Sequence, residues 1–379
     1  MSQATRRLDA SQAKRKNPVF SQKFKSEPES ASNSTITYFG RSSWNDIDIR
    51  NVKNSYWWNS KKKQENILIF LKGNPASLTE ITIQITDKCN RRCIKCNRIS
   101  FTDSDMSRDS VIKIIKQSRD MGLEHVHLTG GEPTQHPNIV FIIGFCKKSG
   151  LRIDLSSNGF FSKDLAIRMC NAGLDQINIS YDSLSDVPPG LHYARYAGLN
   201  TFVNHMVLPS NYREMPEFIR RLHNDFPFVI DIQLMPPRGT AKKFSRKEIR
   251  DYVKNYARPS KELACEFGYK MLAAKLDVVL GTNEHEWGLA EQGIYHRLID
   301  VPCMRGATEI KVGVKGYSPC TYLYRDGFFI SGITTPLDES FKKSIEFCFK
   351  SSPPNRMCQK SCSPELANFN VNVYKKHSS

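Results

Sequence analysis

The stretch Thr86-Asp-Lys-Cys-Asn-Arg-Arg-Cys-Ile-Lys-Cys-Asn97 decides how this chain is read. Its cysteines, Cys89, Cys93 and Cys96, are spaced C-x3-C-x2-C and follow directly on the apolar run Ile81 to Ile85, which reads as a β-strand. Thiolates at that spacing can hold three corners of a 4Fe-4S cluster. A cluster of that kind normally takes four cysteine ligands, so three leave one iron with a position open to something other than protein. An open metal position is a reactive one. Spacing alone leaves a structural zinc loop as the alternative.

Three further motifs follow in order: Leu128-Thr-Gly-Gly-Glu-Pro133, Asp154-Leu-Ser-Ser-Asn-Gly159 and Asn178-Ile-Ser-Tyr-Asp182. With the cysteine triplet they resemble, in order and spacing, the signature of the radical SAM superfamily. The resemblance implies that the amine and carboxylate of S-adenosylmethionine chelate the fourth iron. It implies that the reduced cluster cleaves SAM to methionine and a 5'-deoxyadenosyl radical. By the same resemblance Gly130, Gly131 and Glu132 hold the methionine amine, the two small residues admitting it and the carboxylate receiving it. Ser157, Asn158, Ser180, Asn204 and His205, at strand ends, are candidates for the SAM carboxylate and ribose, or are ordinary polar residues finishing strands. Lys95 stands where many members of the superfamily carry an aromatic residue against the adenine, so that contact is unassigned.

From Glu80 onward, short β-rich runs alternate with helical periodicity, the pattern of repeated βα units on a parallel sheet. Six strand-like runs are expected: Ile81 to Ile85, His125 to Thr129, Arg152 to Ser156, Gln176 to Ser180, Thr201 to Leu208 and Val229 to Met235. Between and after them, helices are expected over Ile139 to Lys148, Lys163 to Ala172, Met215 to Asn224 and Ser245 to Tyr256, with another starting at the N-cap Ser107. The last of the four opens with the capping box Ser245-x-x-Glu248. Six units fall short of the eight that close a TIM barrel. The expected fold is therefore α/β, an open partial barrel, with ligands at the carboxyl ends of its strands.

Beyond residue 260 lie six cysteines: Cys265, Cys303, Cys320, Cys348, Cys358 and Cys362. Cys303-x16-Cys320 encloses the alternating Ile310, Val312 and Val314 and the turn Lys315-Gly316. It resembles the hairpin of SPASM and Twitch extensions, which hold auxiliary iron-sulfur clusters, and Cys358-x3-Cys362 resembles the end of such an extension. Two auxiliary clusters need eight thiolates, so one is the number expected, on Cys303, Cys320, Cys358 and Cys362. Cys265 and Cys348 remain as candidate thiol hydrogen donors to a substrate radical. Cys146 and Cys170 fall within helical apolar patterns and read as buried, inert thiols.

The chain has 379 residues, with 55 Lys and Arg against 38 Asp and Glu and a net charge of +17. That balance fits an acidic partner and fits plain solubility as well. No apolar run approaches the length of a bilayer span, no secretory leader is apparent, and an odd cysteine count of 11 argues for metal ligation over disulfides. A cytoplasmic location is expected. The expected partition is a basic arm (1–35), a capping segment (36–79), the radical SAM barrel (80–258) and the auxiliary-cluster region (259–379). Glu284, His285 and Glu286 lack a metal-site spacing. The extension's resemblance implies modification of a peptide or protein, by oxidation, crosslinking or epimerisation, with an electron donor such as flavodoxin or ferredoxin. A small metabolite such as a sugar or aminocyclitol is the second reading. A non-catalytic nucleic-acid-binding metalloprotein is the third, against which the GGE motif counts.

Overall fold

The structure is a computed structural model that describes residues 66, 69, 77–93, 96, 103–235, 244–281, 308–325 and 327–350. The basic arm, most of the capping segment, Lys95, the 284–286 cluster, Cys303, Cys358 and Cys362 lie outside the described residues.

All six expected strands are present: β1 (Glu80–Thr86), β2 (His125–Gly130), β3 (Arg152–Ser157), β4 (Gln176–Ser180), β5 (Thr201–Met206) and β6 (Val229–Met235). The helices between them are α1 (Arg108–Asp120), α2 (Ile139–Lys148), α3 (Lys163–Asn171), α4 (Gly190–Ala197) and α5 (Met215–Asp225). After β6 come α6 (Arg246–Asp251), a π-helical stretch Tyr252–Ala257, α7 (Arg258–Glu266) and α8 (Lys270–Gly281). A hairpin of β7 (Glu309–Gly313) and β8 (Gly316–Ser318) then leads to α9 (Thr321–Arg325) and α10 (Leu337–Lys350).

Sheet order is β6-β5-β4-β3-β2-β1-β7-β8, parallel from β6 to β7 and antiparallel only at β8. The sheet is open, with β6 and β8 at its edges, as a partial barrel requires. The hairpin, expected within a separate carboxyl-terminal region, continues the barrel's own sheet: Lys311 of β7 pairs with Thr82 of β1. The expected boundary near residue 258 falls inside the helical run from α6 to α7.

Side chains alternate across a strand, and register partners in a parallel pair share a face. One face carries Ile81, Ile83, Val126, Leu128, Ile153 and Ile177, all fully buried, beneath the apolar stripes of the helices. Val111, Ile114 and Ile115 of α1 supply one such stripe. Both expected caps are formed: Ser107 Oγ accepts from Ser110 N at 3.1 Å, and the Ser245–Glu248 box closes reciprocally at 3.3 and 2.7 Å. A cap of this kind stabilises its helix by about 1 kcal/mol.

The other face is polar, and here the fold departs from a TIM barrel, whose interior is filled with branched apolar side chains. One row across it runs Lys311, Thr82, His127, Asp154 and Gln176 in successive register. No helix among the described residues is long and apolar enough to cross a membrane.

Candidate active site

At the carboxyl end of β1 the chain enters the cysteine loop, whose position is set by polar contacts on both sides. Thr86 Oγ1 donates to Asp105 at 2.6 Å, and Lys88 Nζ reaches the other oxygen of Asp105 at 2.6 Å. Arg91 pairs with Asp186 at 2.6 Å while its guanidinium lies 4.0 Å from the centre of the Phe160 ring. The Cys96 amide donates to the Cys93 carbonyl at 3.0 Å, a tight turn that keeps the last two thiols on one bend. All three thiols are half-buried and none is in a disulfide. Among the described residues no three His, Cys, Asp or Glu groups are arranged to hold a metal ion.

The GGE motif lies beside this loop because β2 runs against β1. A Cβ on Gly130 would stand 2.7 Å from the Thr86 carbonyl oxygen, so glycine here is demanded by the approach of the two strands. Gly131 N then donates to that same carbonyl at 2.7 Å, and Glu132 N to the Lys88 carbonyl at 2.7 Å.

Glu132 differs from expectation in its surroundings. Its carboxylate is buried and accepts from Thr134 N at 3.1 Å, Thr134 Oγ1 at 2.7 Å, Ser157 Oγ at 2.8 Å and Asn158 N at 2.7 Å. Burial raises its pKa and these donors oppose the rise. The side chain is thus a tie between β2 and the end of β3. Asn158 extends the tie to the cysteine loop, its Nδ2 donating to Asn90 Oδ1 at 2.7 Å and lying 3.7 Å from Cys89 Sγ. Ser157, engaged with Glu132 and with the Gly159 amide at 3.0 Å, belongs to the same tie.

Ser180 and Asn204 are register partners on the polar face. Among the described residues the buried Asn204 Oδ1 has no hydrogen-bond partner. His205 is a correction: next along β5, it points to the opposite face. Its Nδ1 donates to the Tyr181 carbonyl at 2.9 Å and its ring lies 4.1 Å from Phe218 of α5. It packs in the helical layer, away from the site. Cys265 and Cys348 also sit in helices off the sheet: Cys265 is exposed on α7, and Cys348 is buried on α10, which packs against α1. Cys320 follows β8 and is half-buried. Cys146 is buried, with its pKa pushed up to about 12, while Cys170 is only half-buried.

Sequence reading missed the polar face itself. Asp154 is held by His125 Nε2 at 2.5 Å, His127 Nδ1 at 2.9 Å and Asn178 Nδ2 at 2.8 Å, and His127 Nε2 lies 3.2 Å from Ser156 Oγ. Burial disfavours charge on Asp154, yet His127 and His125 outweigh it and hold the carboxyl far below its usual range. Burial likewise opposes a charged His125, and Asp154 overrides it, raising the imidazole to about 9. The signal was present in the strands His-Val-His, Arg-Ile-Asp and Gln-Ile-Asn, which alternate polar and apolar with period two.

Comparison with known proteins agrees with this geometry. Residues 83–222 match the family model of the radical SAM superfamily. The chain carries a radical SAM domain, and the cofactors of that superfamily are a 4Fe-4S cluster and S-adenosylmethionine. Similar sequences include a probable GTP 3',8-cyclase of Methanothermobacter marburgensis, 36% identical over 28% of this chain and 36% of that protein. A protein of the same name from Sulfolobus acidocaldarius is 31% identical over 38% of this chain and 51% of that protein. The chain thus spans about a third to a half of the length of these curated relatives. Among solved structures, Streptococcus suis SuiB bound to precursor peptide SuiA superposes with TM-score 0.54 at 14% identity, covering 73% of this chain and 68% of that one. Native anSMEcpe with bound AdoMet and a peptide gives 0.55 at 14% identity, covering 79% and 95%. At such identities the likeness is one of fold.

Proposed function

We propose that Cys89, Cys93 and Cys96 bind a 4Fe-4S cluster and that the chain abstracts a hydrogen atom from a compact polar substrate lying on the inward face of the sheet. The observation that carries this reading is the convergence of the cysteine loop, the GGE segment and a polar sheet face at the carboxyl ends of one set of strands. When bound, the cluster and SAM supply a 5'-deoxyadenosyl radical. The chain's own residues supply position. Gly130 and Gly131 keep the backbone against the cysteine loop and admit the methionine amine. Glu132, through Ser157 and Asn158, fixes the loop relative to β3. Ser180 and Asn204 present hydrogen-bonding groups at the strand ends toward SAM or substrate, and Gln84, His127 and Ser156 offer the same chemistry deeper in the barrel. Cys320, with the expected partners Cys303, Cys358 and Cys362, is assigned to an auxiliary cluster; the continuity of β7 and β8 with the barrel sheet supports an extension tied to this site.

A compact metabolite is favoured over a peptide by the inward face, which offers amides, hydroxyls and imidazoles and few apolar surfaces for a side chain. The names of the sequence relatives point the same way. A peptide substrate remains the second reading, supported by the open edge of the sheet. Reduced holoprotein with SAM should form deoxyadenosine faster on adding the small-molecule filtrate of a cell extract. Stimulation by the retained macromolecular fraction alone would transfer the assignment to a peptide or protein.

A further inference from the structure

We infer that Lys311 and Tyr324 form an oxyanion-binding site on the inward face, which receives a carboxylate or phosphate group of the substrate. This rests on the inward face being the substrate side. Lys311 sits in the middle of β7, in register with Thr82 of β1 and, through it, His127 of β2. That parity places it on the polar face, where it is 2% exposed. Among the described residues its Nζ has no hydrogen bond or ion pair. The centre of the Tyr324 ring lies 5.4 Å from it. A lysine buried without an acceptor is costly, because desolvation of an ammonium is not offset unless a partner arrives. Burial, with the charge of Arg325 adding to it and Asp87 opposing it, lowers the pKa of this amine well below its usual value.

Tyr324 supplies the second donor. Its hydroxyl occupies the space a Cβ would fill on Gly313, next to Gln84. Gly313 is two residues beyond Lys311 on the same face, so the phenol stands directly above the amine toward the strand ends. The hydroxyl lies near the Lys315 amide but is buried with no hydrogen bond of good geometry. Two buried donors without acceptors, with the cation of Arg325 close by, match an oxygen-bearing anion. An arriving anion would favour the charged form of the amine that burial otherwise disfavours. The site joins the extension to the cysteine loop: Gln84 Nε2, beside Tyr324, donates to Asp87 Oδ1 at 2.6 Å, two residues before Cys89. An anchored oxyanion would hold the rest of the substrate beside that loop.

The test is isothermal titration of unreduced holoprotein with inorganic pyrophosphate and, separately, with succinate. It requires no SAM cleavage, so its outcome stands apart from that of the radical reading. Binding of either probe should weaken at least tenfold in Lys311→Met and severalfold in Tyr324→Phe, and should largely persist in Lys311→Arg. The stronger probe identifies the anion as phosphate or carboxylate. Thermal unfolding separates binding from folding: Lys311→Met should unfold at the same or a higher temperature, since it removes an uncompensated buried amine. Failure of both probes to bind, equal binding by Lys311→Met, or a marked loss of stability in that variant would each overturn the assignment.

Discussion

The Asn158 amide donates to Glu132 Oε2 at 2.7 Å, and the Asn158 side chain in turn reaches Asn90 and Cys89. The acid of the GGE motif is therefore joined to the cysteine loop through one asparagine. Glu132→Ala would strand Thr134 N, Ser157 Oγ and Asn158 N, buried or half-buried donors each worth about 1–3 kcal/mol when unsatisfied. Unfolding in urea should show a loss of about 3 kcal/mol or more. Glu132→Gln should fall between that variant and wild type, because its amide nitrogen meets at least one donor of the same sign. Wild-type stability in Glu132→Ala would show that the tie contributes nothing.

The pair His125–Asp154 gives stability a pH dependence of known sign. The imidazole rises from 6.5 to about 9 on folding, so its stabilisation is complete below pH 6.5 and is lost as pH climbs through 9. Across that window the loss should be roughly 3 kcal/mol at most, at about 1.4 kcal/mol per pH unit. Asp154, held low, stays ionised throughout and adds no slope. Chemical denaturation at pH 6.5 and pH 9 should show the decline in wild type and a flatter profile in His125→Gln; parallel profiles would refute the assignment.

Thiol accessibility follows from the helical layer. Iodoacetamide should label Cys265 in the folded holoprotein, whereas Cys146 and Cys348 should react only after unfolding. Peptide mass mapping reads the result. Rapid labelling of Cys348 in the native state would show that the packing of α10 against α1 does not protect it.

Iron content tests the ligand assignment. Anaerobically reconstituted protein should hold about eight irons per chain, and replacing Cys89, Cys93 and Cys96 with Ala should leave about four. Zinc in place of iron, or loss of all iron with the triplet, would contradict the two-cluster assignment.

How far the sequence could be read depended on the range of the interaction. Strand and helix positions follow from local periodicity and caps, so β1 to β6 and the Ser107 and Ser245 N-termini were legible. Helix α4 was not, because it is only eight residues long and starts directly after Pro188 and Pro189 with no side-chain cap to mark its beginning. The pairing of β7 with β1 joins segments more than 200 residues apart, and nothing local specifies it. His205 is instructive: alternation along Phe202-Val-Asn-His205 already set Asn204 and His205 on opposite faces, and only one can look into the barrel. The role of Glu132 lay beyond sequence, since its partners Ser157 and Asn158 are brought to it by the β2–β3 pairing.

The central claim is reductive cleavage of SAM at the Cys89–Cys96 loop. The most direct measurement is the product formed when anaerobic, dithionite-reduced holoprotein is incubated with SAM alone. The account predicts slow formation of 5'-deoxyadenosine and methionine in equal amounts, abolished in the Cys89, Cys93 and Cys96 to Ala variant. S-adenosylhomocysteine without deoxyadenosine, or deoxyadenosine formed undiminished by the triple variant, would contradict it.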